Sequence, residues 1–178
     1  QRAVGHPRVE RLEPPDGAIV LFDGSNLDAW ESTRGWEILE GEILQVSDDA
    51  DTIKSKQKFK DCTLHIEFRL PYLPRMRGQQ RGNSGVFLQG TYVCQVLDSY
   101  GLVGYNNECG ALYKVAAPKV NACAPPLQWQ TYDIEYTAAR FDEDGAVTAY
   151  PVMTVRHNGV LIHNAQELPW ITGWKEKD

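Results

Sequence analysis

Long apolar runs are missing from this sequence. No stretch approaches the roughly 20 consecutive apolar residues that a membrane-spanning helix needs, so we expect no membrane span. No window shows a sustained apolar stripe at helical spacing either. The sequence therefore argues against a membrane-spanning bundle and against a helical domain.

Basic residues are in the minority. The chain has 18 Lys and Arg against 24 Asp and Glu, a formal net charge of -6. Nucleic-acid binding needs a basic face for phosphate contacts, so we expect no nucleic-acid partner. The one dense basic stretch, Arg75, Arg77 and Arg81, is typical of a solvated loop.

Signatures of the common catalytic classes are also absent. There is no GxSxG elbow, HExxH motif, P-loop or dinucleotide fingerprint, and the four histidines show no metal-ligand spacing. We therefore expect no cofactor. A structural calcium ion at Asp48, Asp49 and Asp51 is one interpretation of that acidic cluster, since hard cations prefer carboxylate oxygens. A solvated acidic turn is the other.

The four cysteines contain no CxxC pair, which argues against the usual zinc and redox motifs. Cys109 and Cys123 lie in segments with the composition of loops, so we predict a disulfide that closes a loop of about 15 residues. Cys62 and Cys94 lie in strand-like runs, where they form either a second bridge or two buried thiols. Disulfides form in oxidising compartments. The chain begins at Gln1, as after removal of a signal peptide or after trimming, and we expect a secreted or periplasmic protein.

What the sequence does contain is a hydrophobic period of two. Within residues 62–70, Leu64, Ile66 and Phe68 alternate with polar residues, which predicts a strand with one buried face. Asn158-Gly159 is a strong hairpin signal inside 152–162. Further strands are predicted at 18–22, 36–46 with a turn at 40–41, 84–89, 92–98 and 130–137. Short strands punctuated by Gly and Pro predict an all-β sandwich or barrel.

Polar residues on the strand faces are candidate ligand contacts. Carboxylates and amides can bind sugar hydroxyls, and aromatic rings near strand ends can stack on sugar rings. A solvated sheet face with weak cross-strand ion pairs is the bland interpretation of the same residues.

Motifs in a fixed order run through most of the chain. They are Leu21–Trp30 (LFDGSNLDAW), Trp36–Ile38 with Gly41–Leu44, Lys58–Asp61 with Leu64–Arg69, Arg81–Leu88 (RGNSGVFL), Tyr92–Asp98, Gly110–Tyr113, Trp129–Ile134 and His157–Val160. In this order they resemble the 3-keto-disaccharide hydrolase domain family. The match covers 17–165 of a single domain over 1–178, with tails at 1–16 and 166–178.

The resemblance implies a concanavalin-like jelly roll of two curved antiparallel sheets, with a carbohydrate ligand in the concave groove. It implies cleavage of 3-keto-sugar glycosides by elimination and rehydration, with Glu67 and Glu108 as candidate acid and base. The candidate substrate-binding residues are Arg69, Asn83, Gln95, Asp98, Tyr113 and Trp129.

A carbohydrate-binding module without turnover is the alternative. The strand Tyr92-Val93-Cys94-Gln95 carries valine where the family usually carries glutamate, so one carboxylate on the face of Gln95 is lost. We also find no counterpart of the family's closing strand at the end of the sequence, as expected either for a trimmed chain or for a divergent member.

Overall fold

The structure, a computed structural model, describes residues 13–168. These residues fall into two compact units, 13–59 and 60–168. The prediction of one domain with tails at 1–16 and 166–178 stays a prediction, and positions 1–12 and 169–178 lie outside the described residues.

The unit 13–59 contains four short strands. β1 (Trp30–Glu31) pairs antiparallel with β4 (Lys54–Ser55), and β2 (Trp36–Leu39) pairs with β3 (Ile43–Val46). The second pair confirms the hairpin predicted at 36–46.

The predicted strand at 18–22 is wrong. The backbone of this apolar stretch has no ladder partner: Ala18 N donates to Pro15 O in a turn, and Leu21 O accepts the Trp30 indole N–H at 2.6 Å. Ile19 and Val20 are exposed, so the apolar run has no buried face to fix it as a strand.

The unit 60–168 holds the larger sheets. Its strands are β5 (Cys62–Arg69), β6 (Ser84–Leu88), β7 (Tyr92–Val96), β8 (Trp129–Thr137), β9 (Arg140–Phe141), β10 (Val147–Ala149), β11 (Val152–His157) and β12 (Val160–Glu167). A four-stranded antiparallel sheet has the order β12-β11-β8-β5, while β6 pairs with β7 and β9 with β10. A 3-10 helix, Gly78–Gln80, precedes β6.

The predicted hairpin at Asn158-Gly159 is confirmed. Both residues have positive φ, 51° and 77°, as a two-residue turn that matches the twist of β11 and β12 requires.

The core of this unit lies between the four-stranded sheet and the β6–β7 pair. Tyr132, Ile134, Met153 and Val155 are fully buried on one face of the sheet, and Cys94 of β7 belongs to the same cluster. Leu64, Ile66 and Phe68 pack against that cluster, as the alternation in β5 predicts. The antiparallel sheets confirm the predicted all-β, β-sandwich jelly-roll class. None of the described residues forms a helix long and apolar enough to cross a membrane.

Candidate functional site

A cluster of side-chain amides lies on the face of β7 that points away from the core. Cys94 faces the core, so its neighbour Gln95 projects the other way and is nevertheless only 3% exposed. The Gln95 Nε2 group donates to Gln79 Oε1 at 2.9 Å and to Asn83 Oδ1 at 3.0 Å. Both donors of this amide are therefore used inside the protein.

The orientation of Gln95 fixes the orientation of its neighbours. Gln79 accepts through its oxygen and donates its own Nε2 to Asn107 O at 2.8 Å. Asn83 also accepts through its oxygen, so its Nδ2 group is the outward end. Asn83 is exposed, and this Nδ2 has no partner among the described residues. It presents two hydrogen-bond donors to whatever occupies the surface.

Arg81 adds an unpaired cation next to Asn83 in the chain. Its Nε atom is buried without a hydrogen-bond partner, and the guanidinium makes no ion pair with any residue from 13 to 168. Buried donors in folded proteins almost always have partners, so the Nε atom is an exception, and the Nη groups of the same guanidinium have no partner among residues 13–168 and can donate to a ligand oxygen. The interpretation of Arg81 from sequence, as part of a solvated basic loop, did not predict this unpaired donor.

Gly82 sets the spacing between Arg81 and Asn83. Its φ is +64°, and a Cβ there would lie 2.7 Å from Pro71 Cδ. Only glycine fits this conformation and this close approach without strain. The Arg-Gly-Asn order was the sequence signal for the site, although Gln79, which lies 16 residues from its partner Gln95 on β7, carried none.

Tyr113 and Val93 continue the same face. Tyr113 N donates to Val93 O at 3.0 Å, so the segment 110–113 extends the β6–β7 pair along its second edge. Val93 is 5% exposed, so this position, where the resemblance led us to expect a carboxylate, is apolar and covered.

Glu108 and Asp98 lie on the loop that follows β7. The Glu108 Oε2 atom accepts from Gly104 N and Tyr105 N, each at 2.8 Å. Asp98 N donates to Arg81 O at 2.9 Å, and its Oδ1 accepts from Tyr100 N at 3.3 Å. Asp98 is thus joined to the Arg81 segment, whereas the hydrogen bonds of the Glu108 carboxylate hold the loop.

Three other candidate residues lie on the opposite side of the sandwich. Glu67, Arg69 and Trp129 project from the outer face of the four-stranded sheet. The Arg69 guanidinium stacks over the Trp129 ring at 5.1 Å, and Glu67 Oε1 lies 4.0 Å from His65 Nε2.

The core separates these residues from Gln95. The Phe68 and Tyr132 rings pack between them at 4.7 Å, and the Tyr132 hydroxyl donates to Gln95 O at 2.6 Å. The structure therefore joins the side chains of Asn83 and Gln95. It holds the backbones of Tyr113 and Asp98 on the neighbouring residues Val93 and Arg81, and it places Glu67, Arg69 and Trp129 elsewhere.

All four cysteines are free thiols, so the predicted Cys109–Cys123 bridge is not formed in this structure. The two thiols nevertheless interact, and Cys123 lowers the pKa of Cys109. Cys109 Sγ also contacts the Tyr132 hydroxyl at 3.2 Å. Burial raises the pKa of the Cys94 thiol to about 12, which keeps that third thiol protonated and unreactive.

The acidic cluster considered for calcium is bound to a cation of the protein itself. Arg34 Nη2 lies 2.6 Å from Asp51 Oδ1, and Arg34 Nη1 lies 3.5 Å from Asp49 Oδ2. Within residues 13–168, no group of three or more His, Cys, Asp or Glu side chains is arranged to hold a metal ion. Calcium binding stays a prediction.

A groove of about 590 Å³ lies at the turn end of the β6–β7 hairpin, away from the amide cluster. Lys60, Tyr92, Arg140 and Phe141 are among its lining residues. The Arg140 guanidinium is bound by both oxygens of Asp61. Of the two cations that line the groove, Lys60 and Arg140, the second is therefore already neutralised. None of the predicted site residues lines this groove.

Comparison with known proteins identifies a family whose model matches this chain. The model of the 3-keto-alpha-glucoside-1,2-lyase-like domain matches residues 17–177. A solved structure of a candidate glycosyl hydrolase from Parabacteroides distasonis superposes with a TM-score of 0.82 at 42% sequence identity, covering 91% of this chain and 70% of that chain. No curated protein sequence matches the chain.

Proposed function

Because the chain belongs to the 3-keto-alpha-glucoside-1,2-lyase-like domain family, we propose that it cleaves glycosides whose sugar carries a ketone at C3. Its glycoside hydrolase-like role follows from the family and from its likeness to the glycosyl hydrolase structure. The amide cluster of Gln95, Gln79 and Asn83, together with Arg81, is the proposed sugar-binding site.

The proposed reaction is elimination followed by hydration. The C3 ketone acidifies the proton on C2, so a base removes it and negative charge develops on the ketone oxygen. The C1–O bond then breaks while an acid protonates the leaving oxygen. Water returns a hydroxyl to C1 and a proton to C2. The chemistry requires a base, an acid and hydrogen-bond donors at the enolate oxygen.

The unpaired guanidinium of Arg81, whose buried Nε also lacks a partner, is the observation that carries the proposal. Its terminal Nη groups would donate to the developing enolate oxygen, and preorganised donors of this kind supply large transition-state stabilisation. The Asn83 Nδ2 group beside it would bind a hydroxyl of the same sugar, with Gln95 as the positioning residue that holds Asn83.

The candidates for the acid and the base are the carboxylates of Asp98, Glu108 and Glu67. The backbone N–H of Asp98 donates to Arg81 O, which holds this residue beside the Arg81 segment, whereas Glu67 lies on the opposite face of the sandwich. Glu108 retains one carboxylate oxygen beyond the one that accepts from the loop. Asp98→Asn, Glu108→Gln and Glu67→Gln, each assayed for turnover and for folding, will separate the three.

Isotope incorporation tests the mechanism directly. Incubation with a methyl 3-keto-glucoside in D₂O should release 3-keto-glucose with deuterium at C2, because the proton returned to C2 comes from solvent. The free ketose incubated alone in D₂O is the control for spontaneous exchange. Release of product with no deuterium at C2 beyond that control would exclude elimination in favour of direct displacement at C1.

A carbohydrate-binding module without turnover is the second candidate, favoured by Val93 at the position of the missing carboxylate. It predicts saturable binding of methyl 3-keto-glucoside, seen by titration calorimetry, with no product released. Introduction of the carboxylate as Val93→Glu should then create turnover where the wild type has none.

Secretion or periplasmic export is proposed along with the Cys109–Cys123 disulfide. The two thiols are buried and adjacent, and the interaction with Cys123 lowers the pKa of Cys109. When local opening exposes it, Cys109 is therefore the thiol that would attack a small-molecule disulfide, forming a mixed disulfide and releasing one small thiol. Cys123 would then attack the Cys109 sulfur, forming the Cys109–Cys123 bond and releasing the second small thiol.

A further inference from the structure

An exposed apolar surface follows β7 directly. Residues 99–107, named here the 99–107 loop, present four large apolar side chains to solvent. Val103 is 75% exposed and Tyr105 61% exposed, and Tyr100 and Leu102 are also exposed. Exposed apolar groups concentrated in one segment mark a site of interaction more often than a plain surface.

The backbone of the 99–107 loop is tightly held although its side chains are not. The Glu108 carboxylate accepts from Gly104 N and Tyr105 N at 2.8 Å. The Asn121 Nδ2 group donates to Ser99 O at 2.7 Å and to Leu102 O at 2.8 Å. A surface fixed in this way loses little conformational entropy when a ligand binds.

Both ends of the loop rest on the amide cluster. At its start, Asp98 N donates to Arg81 O at 2.9 Å. At its end, Asn107 O accepts from Gln79 Nε2 at 2.8 Å. The two ends of the loop that carries the apolar side chains are therefore hydrogen-bonded to the residues of the proposed sugar-binding site.

We infer that the 99–107 loop binds the leaving group of the substrate, and that this leaving group is an apolar, aromatic aglycone rather than a second sugar. The inference rests on the proposed function. Tyr100 and Tyr105 can stack on an aromatic ring. The aliphatic side chains of Leu102 and Val103 offer nothing to the hydroxyls of a second sugar, which would lose hydrogen bonds to water on binding there.

Paired substrates test the inference. The kcat/KM of the full chain is measured for phenyl and methyl 3-keto-glucosides of the same anomeric configuration, and for a 3-keto-disaccharide. The variant is Val103→Ser with Tyr105→Ser. The matched control is Tyr150→Ser with Val160→Ser, which removes the same side chains from other exposed positions. Thermal melting confirms that each variant folds.

The wild type should prefer the phenyl glycoside. The loop variant should lose about tenfold in kcat/KM on that substrate, the scale of losing a well-placed aromatic contact, and should stay within about twofold of wild type on the methyl glycoside. The control variant should match wild type on both.

The contrary outcomes are distinct. An unchanged phenyl-to-methyl ratio in the loop variant, or a wild-type preference for the 3-keto-disaccharide, overturns the inference and leaves the proposed function standing. A loop variant that changes only the oligomeric state assigns the surface to self-association and also overturns it. No product from any glycoside overturns the proposed function, and the inference with it.

Discussion

Acid should destabilise the folded protein through a buried histidine. The loss of stability should begin at a pH well above the range in which carboxylates titrate. His157 is fully buried, and burial lowers its pKa to about 4. Its Nε2 lies 2.9 Å from Gln130 Oε1. That oxygen can only accept, so Nε2 carries the proton. The Nδ1 atom is buried with no partner, and a second proton there would have no acceptor.

The sign and size of this pH dependence follow from the difference in proton binding between the folded and unfolded chain. The unfolded chain binds a proton at His157 below about pH 6.5 while the folded protein does not, so stability falls as pH decreases from 6.5 towards 4. A pH of about 5 lies 1.5 units below 6.5, and each unit is worth about 1.4 kcal/mol. The free energy of unfolding should therefore drop by about 2 kcal/mol between pH 7 and pH 5 from His157 alone. Burial also lowers the pKa of His163, which adds in the same direction.

Urea unfolding at pH 7, 6 and 5 measures this slope, with His157→Gln as the comparison. The variant should be less stable at pH 7, yet it should lose about 2 kcal/mol less than wild type on acidification. Asp61 does not confuse the result, since Arg140 and Ala138 N hold its pKa below its usual value and its contribution is lost only in stronger acid. An identical slope in the two proteins would refute the assignment to His157.

Three further predictions concern the core, the loop and the thiols. Phe68→Ala should cost about 3 kcal/mol of unfolding free energy, since Phe68 packs on the Tyr132 ring; a loss below about 1 kcal/mol would mean that its face is not the core face. Glu108→Ala should make the 99–107 loop sensitive to limited chymotrypsin digestion while Glu108→Gln, which keeps an acceptor, stays resistant; equal resistance would show that the carboxylate does not hold the loop. Thiol labelling of unreduced, denatured protein from an oxidising compartment should spare Cys109 and Cys123, and modification of both would remove the proposed disulfide.

The fold could be predicted where side-chain period and turn chemistry agree. β5 alternates without interruption against a single core, and Asn158-Gly159, with positive φ at both residues, matches one of the two turn types that two-residue hairpins favour. The stretch 18–22 has the composition of a strand without the partner that makes one. The two-residue strand β1 is defined by β4, which is distant in sequence, so no local pattern could predict it. β9 pairs with the nearby β10 but is too short to show an alternation of its own.

The candidate site was predictable only in part, for a similar reason. Asn83 and Gln95 belong to motifs that could be identified directly, whereas their partner Gln79 is joined to Gln95 across 16 residues. The functional interest of Arg81 lies in what its Nε atom lacks. The burial of that atom depends on the folded structure. The same local sequence would equally fit an arginine that is fully solvated in a polar loop, so the sequence could not predict it.

Gln95→Leu tests the arrangement of the cluster. Loss of the bonds to Gln79 and Asn83 should cost about 1–3 kcal/mol of stability. It should also weaken binding of methyl 3-keto-glucoside per folded molecule, since Asn83 is no longer held. Unaltered affinity of the folded variant would limit Gln95 to a structural role.

The central claim is that Arg81 stabilises the charge that develops on a keto-sugar, and one comparison tests it most directly. Release of 3-keto-glucose from the methyl glycoside is measured for wild type, for Arg81→Met and for Arg75→Met, an exposed arginine of the same segment. We predict a fall in kcat/KM of about a hundredfold or more for Arg81→Met, the scale of removing one preorganised donor to a developing oxyanion, with Arg75→Met unchanged and both variants folded. Equal activity of folded Arg81→Met and wild type would contradict the account.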